Sequence, residues 1–64
     1  MTPRTARHVG ILVEIAQRHL EQGRIPQARD QLQRAAREVA ADVDDPVARD
    51  LLVRDLEQVI ESLG

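Results

Sequence analysis

Apolar residues recur along this 64-residue chain at helical spacing, in three runs that each open near a proline. In the first run Val9, Leu12, Val13, Ala16 and Leu20 follow the rhythm of one helix face, and Ile11 and Ile15 widen it well beyond a single stripe. A helix apolar over so much of its circumference has to be covered on more than one side. Thr2 is placed to cap this helix with Pro3 at its first position, and Gly23 supplies the left-handed residue that stops it. The predicted helix runs over 3–22, with Glu14 and Arg18 as an i,i+4 pair on its outer face.

The turn Gly23-Arg24-Ile25 is so short that a second helix, predicted over 26–41 from Pro26, must pack antiparallel to the first. Ala28, Leu32, Ala35, Ala36, Val39 and Ala40 form its expected inner seam, where alanines let two backbones approach closely. The outer side carries Asp30–Arg34 and Arg34–Glu38 at i,i+4 spacing. Asp42-Val43-Asp44-Asp45-Pro46 then reads as a hinge, with Asp44 or Asp45 capping a third helix over 46–63. Leu52, Leu56, Val59, Ile60 and Leu63 are its main stripe, widened by Val47, Leu51 and Val53, and it is long enough to cross the open side of the hairpin. No period-2 alternation competes anywhere. The pattern predicts one all-α domain over 1–64, an antiparallel αα-hairpin with a third packing helix.

Composition adds that the core must be small. Eight alanines, one Met and eighteen Val, Leu or Ile residues supply all the apolar content, and there is no Phe, Tyr or Trp. A domain of this size buries only about 60% of the surface its unfolded chain exposes. An aliphatic core buries less area per residue than an aromatic one, so the lone chain is expected to be marginal. With no Cys, disulfides cannot rescue it, which leaves association with itself or with a partner.

Charge is divided along the chain. Residues 1–37 hold seven arginines against Glu14, Glu21 and Asp30, a net of +4, whereas residues 38–64 hold two arginines against eight carboxylates, a net of −6. Such a chain can fold its ends together or pair head to tail with a second copy, although mixed solvated helix faces also account for it. Nucleic acid is not an expected partner, because stacking aromatics are absent and the acidic half repels phosphate. The nine basic residues are all Arg, as the codon bias of a high-GC genome would give. The longest apolar run near the N-terminus, Ile11 to Val13, is too short for a signal or a membrane span, so the expected location is the cytoplasm.

Leu12-x2-Ile15-Ala16-x2-His19, then Ala28-x3-Leu32-x2-Ala35, resembles the tetratricopeptide repeat, whose signature is W-x2-L-G-x2-Y followed by A-x3-F. Leu12 stands at the Trp position, Ile15 at the Leu, Ala16 at the small residue and His19 at the Tyr, while Leu32 replaces the Phe. The small residues agree, every aromatic is replaced, and Ala40 occupies the terminal Pro position. The match covers about 34 residues. One period further on, Pro46, Arg49, Asp50 and Val53 fill the signature positions and none fits, so there is one repeat-like hairpin and one unrelated helix. In length and layout the chain is also similar to microtubule-interacting-and-trafficking domains, which hold helical tails of partner proteins beside a third helix. These resemblances imply a TPR-like binding scaffold. In the repeat family the inner face of the first helix lines the ligand groove, which implies a partner-binding stripe of Gly10, Val13, Gln17, Leu20 and Arg24 for a helix or peptide; the alternative is that the third helix simply covers Val13 and Leu20.

Other chemistry finds little support. His8 and His19 are eleven residues apart, roughly 16 Å along a helix, too far to chelate one metal. Asp42, Asp44 and Asp45 lack the Gly and the closing Glu of a calcium loop. Thr2, Thr5 and Ser62 are the only hydroxyls and all lie near the termini. No catalytic residue, metal or cofactor is therefore expected. The expected function is a non-catalytic protein–protein interaction module that forms a homo-oligomer. Its alternatives are a domain whose main role is self-assembly and a small regulator binding nucleic acid through Arg4, Arg7, Arg18, Arg29 and Arg37.

Overall fold

The computed structural model describes all 64 residues as three helices, α1 (Pro3–Glu21), α2 (Ile25–Asp42) and α3 (Pro46–Ser62). Each start follows from local chemistry. The Thr2 hydroxyl accepts a hydrogen bond from the Thr5 backbone N–H at 3.2 Å, and Asp45 accepts one from the Val47 N–H at 3.0 Å, so it is Asp45 that caps α3. Helix α2 has no side-chain cap and begins at Ile25, one residue before Pro26.

Helix α1 ends in a Schellman motif. The Arg24 N–H donates to the His19 carbonyl at 2.8 Å and the Gly23 N–H to the Leu20 carbonyl at 3.1 Å, which requires φ +74° at Gly23. This tight reversal makes α1 and α2 antiparallel. The register follows: His8 and Glu38, each fifteen residues from Gly23, face each other across the hairpin.

Helix α2 is the spine. Of the seven buried residues, Ala28, Leu32, Ala35 and Val39 lie on it and Val43 just beyond it, while Leu12 and Ala16 come from α1. Ala16, Ala28 and Leu32 form the central cluster, against which Val13 and Leu20 of α1 and Leu56, Ile60 and Leu63 of α3 all pack. Alanines at this crossing remove the side-chain bulk that would hold the helix axes apart. Ala40, placed by its spacing on the inner seam, is exposed, because the seam turns towards Val39 and Val43 instead.

The third helix does not cross the open side of the hairpin. Both α1 and α3 pack against α2, but no Cα of α1 comes within 8 Å of one in α3. The molecule measures 35 × 22 × 12 Å along its principal axes. It is an open layer of three helices with α2 in the middle. Its accessible surface of 4586 Å² exceeds the roughly 4,100 Å² that a monomer of this mass exposes. No helix is long and apolar enough to cross a membrane.

The glycines test this account in opposite directions. Gly10 lies inside α1 with no atom within 4 Å of where its Cβ would stand, so Gly10→Ala should raise stability by about 0.8–1 kcal/mol. Gly23→Ala meets no clash but forces a Cβ into the left-handed region, and should cost about 1–2 kcal/mol. Urea denaturation of the two variants against the parent chain measures both.

Candidate functional site

Two polar cross-links join α1 and α2 at the open end of the hairpin. The Thr2 N–H donates to Asp42 Oδ2 at 2.9 Å, and His8 Nδ1 pairs with Glu38 Oε2 at 2.5 Å. Glu38 is thus drawn across to His8, and Arg34 is left with Asp30 at 3.5 Å as the i,i+4 pair on that side of α2. The Glu14–Arg18 pair expected on α1 is not formed; the third ion pair is the loose contact of Arg49 with Asp50 at 3.9 Å.

Around these cross-links lies a shallow open depression of about 680 Å³, bounded by Arg4, Arg7, His8, Ile11 and Glu38. A smaller one beside it adds Arg34 and Arg37. Both are built by α1 and α2 alone. Arg4, Arg7 and Arg37 take part in none of the three ion pairs. This basic face follows from the tight turn, which brings the arginines near the start of α1 level with those in the second half of α2.

The stripe implied by the repeat resemblance is divided by the fold. Gly10, Gln17 and Arg24 are exposed, whereas Val13 and Leu20 are half-buried and pack against the Ala16–Ala28–Leu32 cluster. None of the depressions on the surface is lined by any of these five residues. Helix α3 reaches the same Ala16–Ala28–Leu32 cluster and carries exposed apolar surface of its own. Leu52, Leu56, Val59 and Leu63 recur at i, i+4, i+7 and i+11, so they share one face of that helix. Leu56 and Leu63 reach the cluster, but Leu52 is 40% and Val59 45% exposed.

No family model, curated protein or solved structure matches this chain. The reading of its surface therefore rests on its own geometry and residues.

His19, at the position where the repeat family has Tyr, is half-buried, and its Nδ1 is fully buried without a hydrogen-bond partner. An unpaired buried acceptor is unfavourable, so this side chain serves packing at the hairpin turn at some cost in stability. No three His, Asp or Glu side chains come together in an arrangement that would hold a metal ion. Sequence reasoning missed Val43, which it left in the hinge; its spacing of four from buried Val39 continues the seam and was the available signal. The cross-links were missed as well, although His8 and Glu38 lie equally far from Gly23 and therefore face each other in so tight a hairpin.

Asp42 titrates below its ordinary value of 3.8, chiefly because the Thr2 N–H donates to its carboxylate, and further through the Thr5 hydroxyl and the positive N-terminus. A depressed folded-state value means that the stabilisation is present above the ordinary value and is lost as pH falls through the lower one. Asp42→Asn should lower the melting temperature at neutral pH, and its curve should converge on the parent's in acid. Thermal melts followed by circular dichroism across the acid range check this.

Proposed function

We propose that this domain is a non-catalytic helix-docking module whose partner lies along the face shared by α1 and α3. The observation that carries the reading is that the backbones of the two outer helices stay apart, meeting only through side chains at the Ala16–Ala28–Leu32 cluster, while Leu52 and Val59 of α3 remain 40% and 45% exposed. An amphipathic helix laid across Leu52 and Val59, beside Val13 and Leu20, completes the burial that the open layer leaves unfinished. Gln17 on α1 and Arg24 in the turn before α2 lie exposed as polar margins, and Gly10 leaves an open spot on α1. A TPR-like use of the first hairpin helix agrees with this arrangement, with α3 supplying the greater part of the exposed apolar surface.

Variants on the two helices separate docking from folding. Leu52→Arg and Val59→Arg replace exposed side chains and should leave the helix content and melting temperature nearly unchanged. Each should weaken partner binding at least about tenfold, since the arginine both forfeits the burial of the exposed part of the side chain and puts an unpaired charge into an apolar contact. Leu20→Arg strikes the Ala16–Ala28–Leu32 contact and should lower the melting temperature as well. Circular dichroism, together with pull-down of a partner captured by the parent chain, reads these outcomes. A partner retained by both α3 variants assigns docking to another surface.

A further inference from the structure

A second surface pair, separate from the α1–α3 face, carries complementary charge on one molecule. The first member is the basic face formed by α1 and α2, where Arg4 and Arg7 border Ile11, itself 46% exposed, and the adjoining depression adds Arg34 and Arg37. The carboxylates within it are already engaged: Glu38 by His8 and Asp42 by the Thr2 N–H. The second member is the start of α3. Val47 and Leu51, one turn apart, are the most exposed large apolar residues of the chain, at 67% and 58%. Asp44, Asp45, Asp50 and Asp55 flank them, all exposed, with Arg54 as the exposed cation of that stretch. The two patches do not meet within the molecule: Arg34 pairs with Asp30 and Asp50 loosely with Arg49, Asp45 caps α3, and Arg4, Arg7 and Arg37 form no ion pair with Asp44 or Asp55.

We propose that the occupant of the basic depression is the acidic, apolar N-terminal edge of α3 from a second copy of this chain. Val47 and Leu51 would cover Ile11, while the aspartates face the four arginines. Both patches lie at the same end of the molecule, because α1 begins where α2 ends and α3 starts three residues later. A twofold axis at that end brings both contacts together, so the assembly closes as a dimer instead of growing into a filament. A standard interface buries about 800 Å² per partner. That is less than a fifth of the 4586 Å² this chain exposes. A phosphate polymer fits the basic face less well, because no aromatic is present for stacking and the aspartate-rich edge lies at the same end.

Charge reversal tests the pairing. Sedimentation of the full chain over a dilution series should show a monomer–dimer equilibrium that shifts towards monomer as salt rises. Arg4→Glu with Arg7→Glu, and separately Asp50→Arg with Asp55→Arg, should each weaken dimerisation at least tenfold while circular dichroism shows unchanged helix content. Mixing the two variants should restore a 1:1 dimer, because every contact in the mixture again joins opposite charges. A parent chain that stays monomeric at low salt, or a folded mixture that stays monomeric, overturns the inference. So does a dimer that survives both charge reversals but is lost in Leu52→Arg, a result that places self-association on the α1–α3 face and leaves the helix-docking reading standing. Binding of a single-stranded DNA probe by a monomeric parent chain overturns it in favour of a phosphate partner.

Discussion

The close approach of α1 and α2 across Ala16, Ala28 and Ala35 is the contact on which everything else rests. Ala16 is 1% exposed, and Ala28 and Ala35 are fully buried, so water is excluded from this crossing. A larger residue at this crossing would push the helices apart and draw Leu12 and Leu32 out of register. The alanines have little area of their own to bury, so the hairpin gains its stability from Leu12, Leu32 and Val39 around them. The Schellman turn at Gly23 sets the direction of that approach, and the Thr2–Asp42 and His8–Glu38 links hold the open end.

Helix α3 is held differently. It contributes no fully buried residue and meets the core through Leu56, Ile60 and Leu63 at the edge of the cluster. With α2 between the two outer helices, the chain cannot close a triangular bundle, and its apolar area remains larger than its own core can hide. That imbalance, an aliphatic chain of this size with Leu52 and Val59 left exposed on α3, is what the docking proposal rests on.

Charge acts on a longer scale than packing. The hairpin gathers arginines from the start of α1 and the second half of α2 on one face, while the acidic residues that follow Asp42 collect around the α2–α3 junction and α3. Apart from His8–Glu38 and Asp30–Arg34, few of these charges meet an opposite partner within the molecule. Exposed pairs contribute little to stability. Their arrangement bears instead on which surfaces attract one another.

Much of the fold was legible in the residue pattern. Thr2-Pro3, Gly23, Pro26 and Asp45-Pro46 mark where helices begin and end because capping and φ restriction are local effects that a neighbouring element hardly alters. The hairpin followed from the length of its turn, and the α2 seam from its period, apart from Ala40 and Val43 at its far end. The candidate site was less legible. Val13 and Leu20 share a stripe with Gln17 by spacing alone, yet they pack inwards while Gln17 stays in water. By itself the sequence determined three helices, their ends and the antiparallel first pair, since those depend on contacts a few residues apart. Only the tertiary structure decided that α3 lies beside α2 and away from α1, and hence which apolar side chains stay exposed. Helix periodicity says how wide an apolar face is, but the direction from which a neighbour covers it is set by long-range packing.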